Sequence, residues 1–196
     1  SYAKQFLTEY LLLKQQKGEL TEGDKKSLVD KVMNNIKPLT ATDEYTISDL
    51  KISDDTGKEA VKKYAEWMKS IFVDSKNTLP NESEIFNILL KNIEEENIKN
   101  TELSIKVLND YAILNEKLVE IMLSPAIPEN LSKNHLEVVN GFNNIILAIE
   151  NMTIAQTDPV KAMMGQKLYD EQMQRIYSAL KNIQEIFNEY EITVFK

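Results

Sequence analysis

Residues 159–190 read PVKAMMGQKLYDEQMQRIYSALKNIQEIFNEY, and within them Tyr169, Met173, Ile176, Leu180, Ile183, Phe187 and Tyr190 step alternately by four and three. That is the spacing of one apolar seam along a helix, held over three heptads. A strand would place its apolar residues at every second position instead. Asp158 stands where a helix N-cap is needed, and Pro159 suits the first helical position. A helix this long with one apolar seam is unstable alone, so its neighbours must supply partner helices.

Moving back along the chain, residues 129–155 carry Leu136, Val139, Phe142, Ile146 and Ile149 at helical spacing. The segment Ser124-Pro125-Ala126-Ile127-Pro128 before them reads as a firm loop, with Pro128 and Glu129 suited to a helix start. From about Glu102 to Leu123, Leu103, Val107, Tyr111, Leu114, Leu118 and Ile121 step 4, 4, 3, 4, 3, which predicts a helix burying that face between its neighbours. A hinge is expected at Ile98–Thr101. Leu79-Pro80-Asn81 reads as a break, with Asn81 capping a helix to about Glu96 whose first turn carries Glu82 and Glu84.

The first hundred residues predict shorter helices. Tyr2–Gln16 carries Phe6, Tyr10 and Leu13 and ends at Lys17-Gly18. Thr21–Ile36 carries Leu28, Val32 and Ile36 and stops at Pro38. Lys58–Val73 puts Val61, Tyr64, Met68 and Ile71 on one face with Trp67 beside it. Tyr45–Ile52 instead is β-branched and partly alternating, and Ile192-Thr193-Val194-Phe195 is rich in strand formers. A lone strand leaves backbone groups unpaired, so the expectation is a two-stranded ribbon joining 45–52 to 191–195. The fold class is thus all-α: a single domain over 1–196 of about six to seven helices, the shorter ones of 1–99 packed on a long-helix bundle at 100–190.

Composition narrows the function. The formal net charge of −8 argues against a phosphate-binding surface, hence against nucleic acid and anionic membrane surfaces. The absence of Cys removes disulfides, thiolate nucleophiles and Cys-ligated zinc. No apolar run approaches the roughly 20 residues of a bilayer span. Arg175 is the only Arg, and with the many Asn and Ile this looks like the codon usage of an AT-rich genome. The chain opens on Ser1, which suggests a processed or cut start, with a signal peptide or anchor lost before it.

Candidate chemistry is thin. His135 is the only His, and Lys133, Asn134 and Glu137 around it offer no ligand spacing, so it reads as a helix-start His partly packed on the bundle. One His cannot complete the Glu-x-x-His pairs of a di-iron bundle. Asp54-Asp55-Thr56-Gly57 lacks the spacing of a calcium loop and reads as helix capping. Gly141 and Gly165 fall inside predicted helices, where each costs about 1 kcal/mol relative to Ala, so close helix–helix approach is expected there. Tyr64, Trp67 and Phe72 have the spacing of a pocket lining or of an ordinary core. No catalytic residue, metal ligand or cofactor follows from these patterns. The residues available for a ligand or partner surface are Tyr64, Trp67 and His135.

Several stretches resemble one group of proteins: Tyr45-Thr46-Ile47-Ser48-Asp49-Leu50, Ala60-Val61-Lys62-Lys63-Tyr64, His135-Leu136-Glu137-Val138-Val139-Asn140, and Asp158-Pro159-Val160-Lys161-Ala162 with Tyr169 behind it. The group comprises uncharacterised membrane-anchored or secreted all-helical envelope proteins of bacteria with reduced genomes. The resemblance implies an extracytoplasmic place in the cell envelope, protein partners, and a role near secretion or pilus machinery. It carries no activity and transfers no site. The expected function is a non-catalytic structural or interaction domain; a helical sensor of small ligands and a cytoplasmic adaptor are the alternatives.

Overall fold

At the centre lies a hairpin of two long helices, Glu129–Met152 and Pro159–Glu189, which make the most extensive contact in the molecule. The structure, a computed structural model, describes residues 2–21, 23–24, 27–28, 39–73 and 82–195. In chain order the elements are α1 (Tyr2–Lys17), a 3₁₀ turn (Ile47–Asp49), β1 (Lys51–Ser53), α2 (Lys58–Phe72), α3 (Glu82–Glu94), α4 (Ile98–Met122), β2 (Ala126–Pro128), α5 (Glu129–Met152) and α6 (Pro159–Glu189). The all-α expectation holds, with six helices among the described residues. The predicted helix Thr21–Ile36 with its stop at Pro38 lies largely outside the described residues, as does the break at Leu79-Pro80-Asn81 with its cap.

Helices α3, α4, α5 and α6 each pack on the next, and α3 also touches α6, so the four close into a ring. The two glycines explain how α5 and α6 come so near. A Cβ on Gly165 would stand 2.6 Å from the Ala148 carbonyl oxygen, and one on Gly141 would stand 2.5 Å from Ile176 Cγ1. Each helix thus lends one glycine to the other. Close packing gains dispersion energy along the seam and offsets the helix-propensity cost of glycine. Of the predicted seam, Tyr169, Ile176, Ile183 and Phe187 are buried and Leu180 and Tyr190 half-buried, whereas Met173 is 39% exposed; Gln172 and Ala179 are buried beside the seam instead. Asp158 caps α6 by accepting from the Lys161 amide at 3.0 Å, with Pro159 in the first turn.

α4 departs from expectation. Its buried residues are Thr101, Ser104, Leu108, Ala112, Asn115, Val119 and Met122, a small and partly polar face. The predicted face is turned about the helix axis toward water: Leu103 is 58% exposed, Leu114 48% and Ile121 48%. Val107, Tyr111 and Leu118 are half-buried beside them. Small residues won the inner side because they let α3 approach while their polar groups find partners. Asn92 Nδ2 donates to Ser104 Oγ at 3.2 Å, and Asn115 Nδ2 donates to Glu82 Oε1 at 3.3 Å. Glu82 also accepts from the Tyr169 hydroxyl at 3.0 Å, tying α3 to α6 and closing the ring. The hinge expected at Ile98–Thr101 is the first turn of α4. The reversal falls at residues 95–97, where Glu96 has φ 54° and Asn97 caps by accepting from Asn100 N.

A ribbon exists, but its first strand is only Lys51–Ser53, because Ile47–Asp49 form a 3₁₀ turn within the expected strand, and its second strand is not the tail. β1 pairs in parallel with β2, with Lys51 opposite Ala126, Ile52 opposite Ile127 and Ser53 opposite Pro128. The proline-flanked segment read as a loop is extended because each proline fixes its own φ and disfavours the helical region in the residue before it. Ile127 is fully buried, which anchors β2. The tail 191–195 needs no strand partner, because one side chain of α6 serves it. Gln184 Oε1 accepts from Val194 N and Phe195 N at 2.9 and 2.8 Å, and its Nε2 donates to the Ile192 carbonyl at 2.9 Å.

The extended stretch 42–45 is held across α5 and α6 in the same manner. Asn144 Oδ1 accepts from Thr42 N at 2.8 Å, while Asn140 accepts from Tyr45 N and donates to the Tyr45 carbonyl at 3.1 and 3.0 Å. Arg175 grips both carboxylate oxygens of Asp43 at 2.7 and 2.8 Å and Glu137 at 2.7 Å. This planar fork has no lysine equivalent. These bonds hold the Asp43 carboxyl below its usual range, hydrogen bonding to Arg175 being the main cause.

Gly165→Ala should cost about 2–3 kcal/mol in urea denaturation, and Gly141→Ala less. The Ala148 carbonyl is fixed backbone, whereas the Ile176 side chain can turn aside. Equal or negligible costs would show that the two helices do not depend on this approach.

Candidate functional site

The three residues singled out from sequence come together where α2 lies against the α4–α5 corner. Ring centroids of Tyr64 and Trp67 are 5.6 Å apart, those of Trp67 and His135 5.9 Å, and those of Tyr64 and His135 5.8 Å. Phe187 of α6 adds a fourth ring, 6.1 Å from Tyr64. α2 places Tyr64 inward because Val61, Tyr64, Ala65 and Met68 form its buried face; Trp67, one position off that face, stays half-buried.

His135 is fully buried and not partly packed. Its Nε2 lies 2.8 Å from the Met122 carbonyl oxygen, which can only accept, so Nε2 carries the proton. Nδ1 is then an acceptor, and the Tyr64 hydroxyl donates to it at 2.7 Å. Burial lowers the imidazole to about 4, against a partial counter-effect of the Met122 bond, so the ring is neutral at physiological pH. Burial likewise pushes the Tyr64 phenol above its usual value. Both ring nitrogens are engaged and both groups resist ionisation. The pair therefore works as a buried pin joining α2, α5 and the end of α4.

Tyr64 and Trp67 do line an open cleft of about 400 Å³. Pro125, Ala126 and Pro128 also line it, as do Asp55, Glu59 and Lys63. His135 lies behind Tyr64 and does not line the cleft. Phe72, the third aromatic of α2, instead stacks on Phe142 at 6.0 Å and meets Phe195 at 6.4 Å. Asp55 accepts from the Gly57 amide at 2.9 Å, so it shapes the turn into α2; the cap position is Gly57 itself. Among the described residues no group of three or more His, Cys, Asp or Glu side chains is placed to hold a metal ion.

Sequence reasoning missed two features. One is the Arg175–Asp43–Glu137 clamp, whose signal was the single Arg among 23 basic residues. The other is the outward stripe of α4. No family model, characterised protein or solved structure matches the chain. No helix among the described residues is long and apolar enough to cross a membrane.

The His135 pin sets a pH dependence. The folded value of about 4 lies below the usual 6.5, so between them the unfolded chain binds the extra proton. Stability should therefore fall by about 3 kcal/mol as pH drops from about 6.5 to about 4. His135→Gln should flatten that window in urea titrations, and an unchanged slope would contradict the assignment.

Proposed function

We propose that this chain is a non-catalytic extracytoplasmic helical domain, a structural or protein-interaction component of a bacterial cell-envelope or secretion/pilus-type assembly. The observation that carries the reading is the exposed apolar stripe of Leu103, Leu114 and Ile121 on α4. Such a row on an otherwise acidic surface is the form that helix-mediated protein contacts take. The envelope location is supported by the sequence resemblance in 45–50, 60–64, 135–140 and 158–162. The acidic charge argues against nucleic acid as the partner.

A photo-crosslinking amino acid at Leu114 tests this in the native cells. Tyr177 is the control, since it is 68% exposed and stands on α6 and not on α4. Adducts with protein from the Leu114 probe alone, sedimenting with the envelope, are the expected result. Adducts at both positions or at neither would overturn the interaction role, and adducts confined to the cytosol would favour an adaptor there.

The cleft at Trp67 favours a second reading, a small-ligand sensor. A metabolite screen by thermal shift tests it. A compound that raises the melting temperature of the wild type but not of Trp67→Ala would support the sensor, and no shift from any compound would remove it.

A further inference from the structure

We infer that the cleft beside α2 takes a free α-amino acid with a large apolar side chain. The inference rests on the small-ligand reading of that cleft given above and names the ligand. Along α2, Glu59, Lys63 and Trp67 stand at i, i+4 and i+8, and all three line the cleft. At a rise of about 1.5 Å per residue they cover about 12 Å of the helix. A carboxylate, an ammonium and an indole thus follow one another along one row. Trp67 is only half-buried, so part of its ring surface is free for a ligand.

The two charges of this row are open. Glu59 stands four residues before Lys63, the order that favours pairing on a helix. The pairs Lys91–Glu95, Lys167–Glu171 and Lys181–Glu185 close at the same spacing, but among the described residues Glu59 and Lys63 form no ion pair with each other or with a third group. Asp55 adds a second carboxylate to the lining. Its Oδ1 accepts from the Gly57 amide at 2.9 Å, which leaves Oδ2 for a ligand.

An α-amino acid answers each of these groups. Its ammonium has donors enough for both Glu59 and Asp55, and its carboxylate can accept from Lys63. A large apolar side chain would cover Trp67 and the prolines 125 and 128, burying area that water now wets. An amine alone would meet Lys63 as a second cation, and a carboxylic acid alone would meet two carboxylates. An internal peptide segment offers neither charge. The net charge of −8 repels anions but not a zwitterion. At about 400 Å³ the cleft also lies near the small end of ligand sites, as a ligand of this size requires.

Isothermal titration calorimetry on the whole chain, with ligands up to about 10 mM, tests the inference. L-Phenylalanine should bind with a Kd between about 10 µM and about 1 mM. 3-Phenylpropionate, 2-phenylethylamine and L-alanine, which each lack one of the three groups, should bind at least about tenfold more weakly. Glu59→Gln should remove most of the preference over 3-phenylpropionate and keep that over 2-phenylethylamine; Lys63→Met should do the reverse. Both side chains are exposed, so the circular dichroism spectrum should not change. Equal affinity for the zwitterion and its single-charge analogues, or selectivity unchanged in both variants, would overturn the inference. So would no binding of L-phenylalanine at about 10 mM. A Trp67-dependent shift from some other metabolite in the thermal screen would then leave the sensor reading standing, and no shift from any compound would remove both.

Discussion

The structure depends on how closely the backbones of α5 and α6 approach. At Gly165 the neighbouring helix presents a carbonyl oxygen where any other residue would carry its Cβ. At Gly141 the same holds for the Ile176 side chain. The approach makes α5 the most buried helix of the ring, with Val138, Val139, Ile145, Ala148, Ile149 and Met152 all inaccessible or nearly so. A rigid pair then serves as the floor on which other parts are fixed by directional bonds. Asn140, Asn144 and Arg175 hold the 42–45 stretch, His135 holds α2, and Gln184 holds the tail.

Much of this fixing uses side-chain amides in place of a sheet. Asn140 and Gln184 each satisfy backbone groups of an extended segment, as a strand partner would, from the surface of a helix. Buried backbone groups must be paired, but the partner need not be another backbone. This explains why the tail, rich in strand formers, joins no sheet. The only sheet among the described residues is the three-residue pairing of β1 with β2.

The helices and their order could be read from apolar spacing, and the α6 seam, the Asp158 cap and the close approach at both glycines follow from local rules. Two things did not. Spacing gives an apolar face but not which way it points. On α4 the smaller, hydrogen-bonded side was buried, and the more apolar side was left out because Thr101, Ser104 and Asn115 let α3 come near. Strand pairing also fails to follow from composition alone, since Ile127 between two prolines competes for β1 better than the tail does. As for the candidate site, Tyr64, Trp67 and His135 do meet, yet nothing local could announce that His135 is bonded on both nitrogens by residues 13 and 71 positions away. An interaction surface was expected at these aromatics. The face now proposed for that role is α4, where sequence spacing had placed core.

Native-state hydrogen exchange tests the central claim most directly. If the glycine-mediated α5–α6 contact underlies the rest, amides near Ala148, Ile149, Leu168 and Ile176 should exchange only through global unfolding, with the largest opening free energies in the chain. Amides of α1 should open locally at a fraction of that cost. Exchange of the α5–α6 amides before those of α3 or α4 would contradict the account.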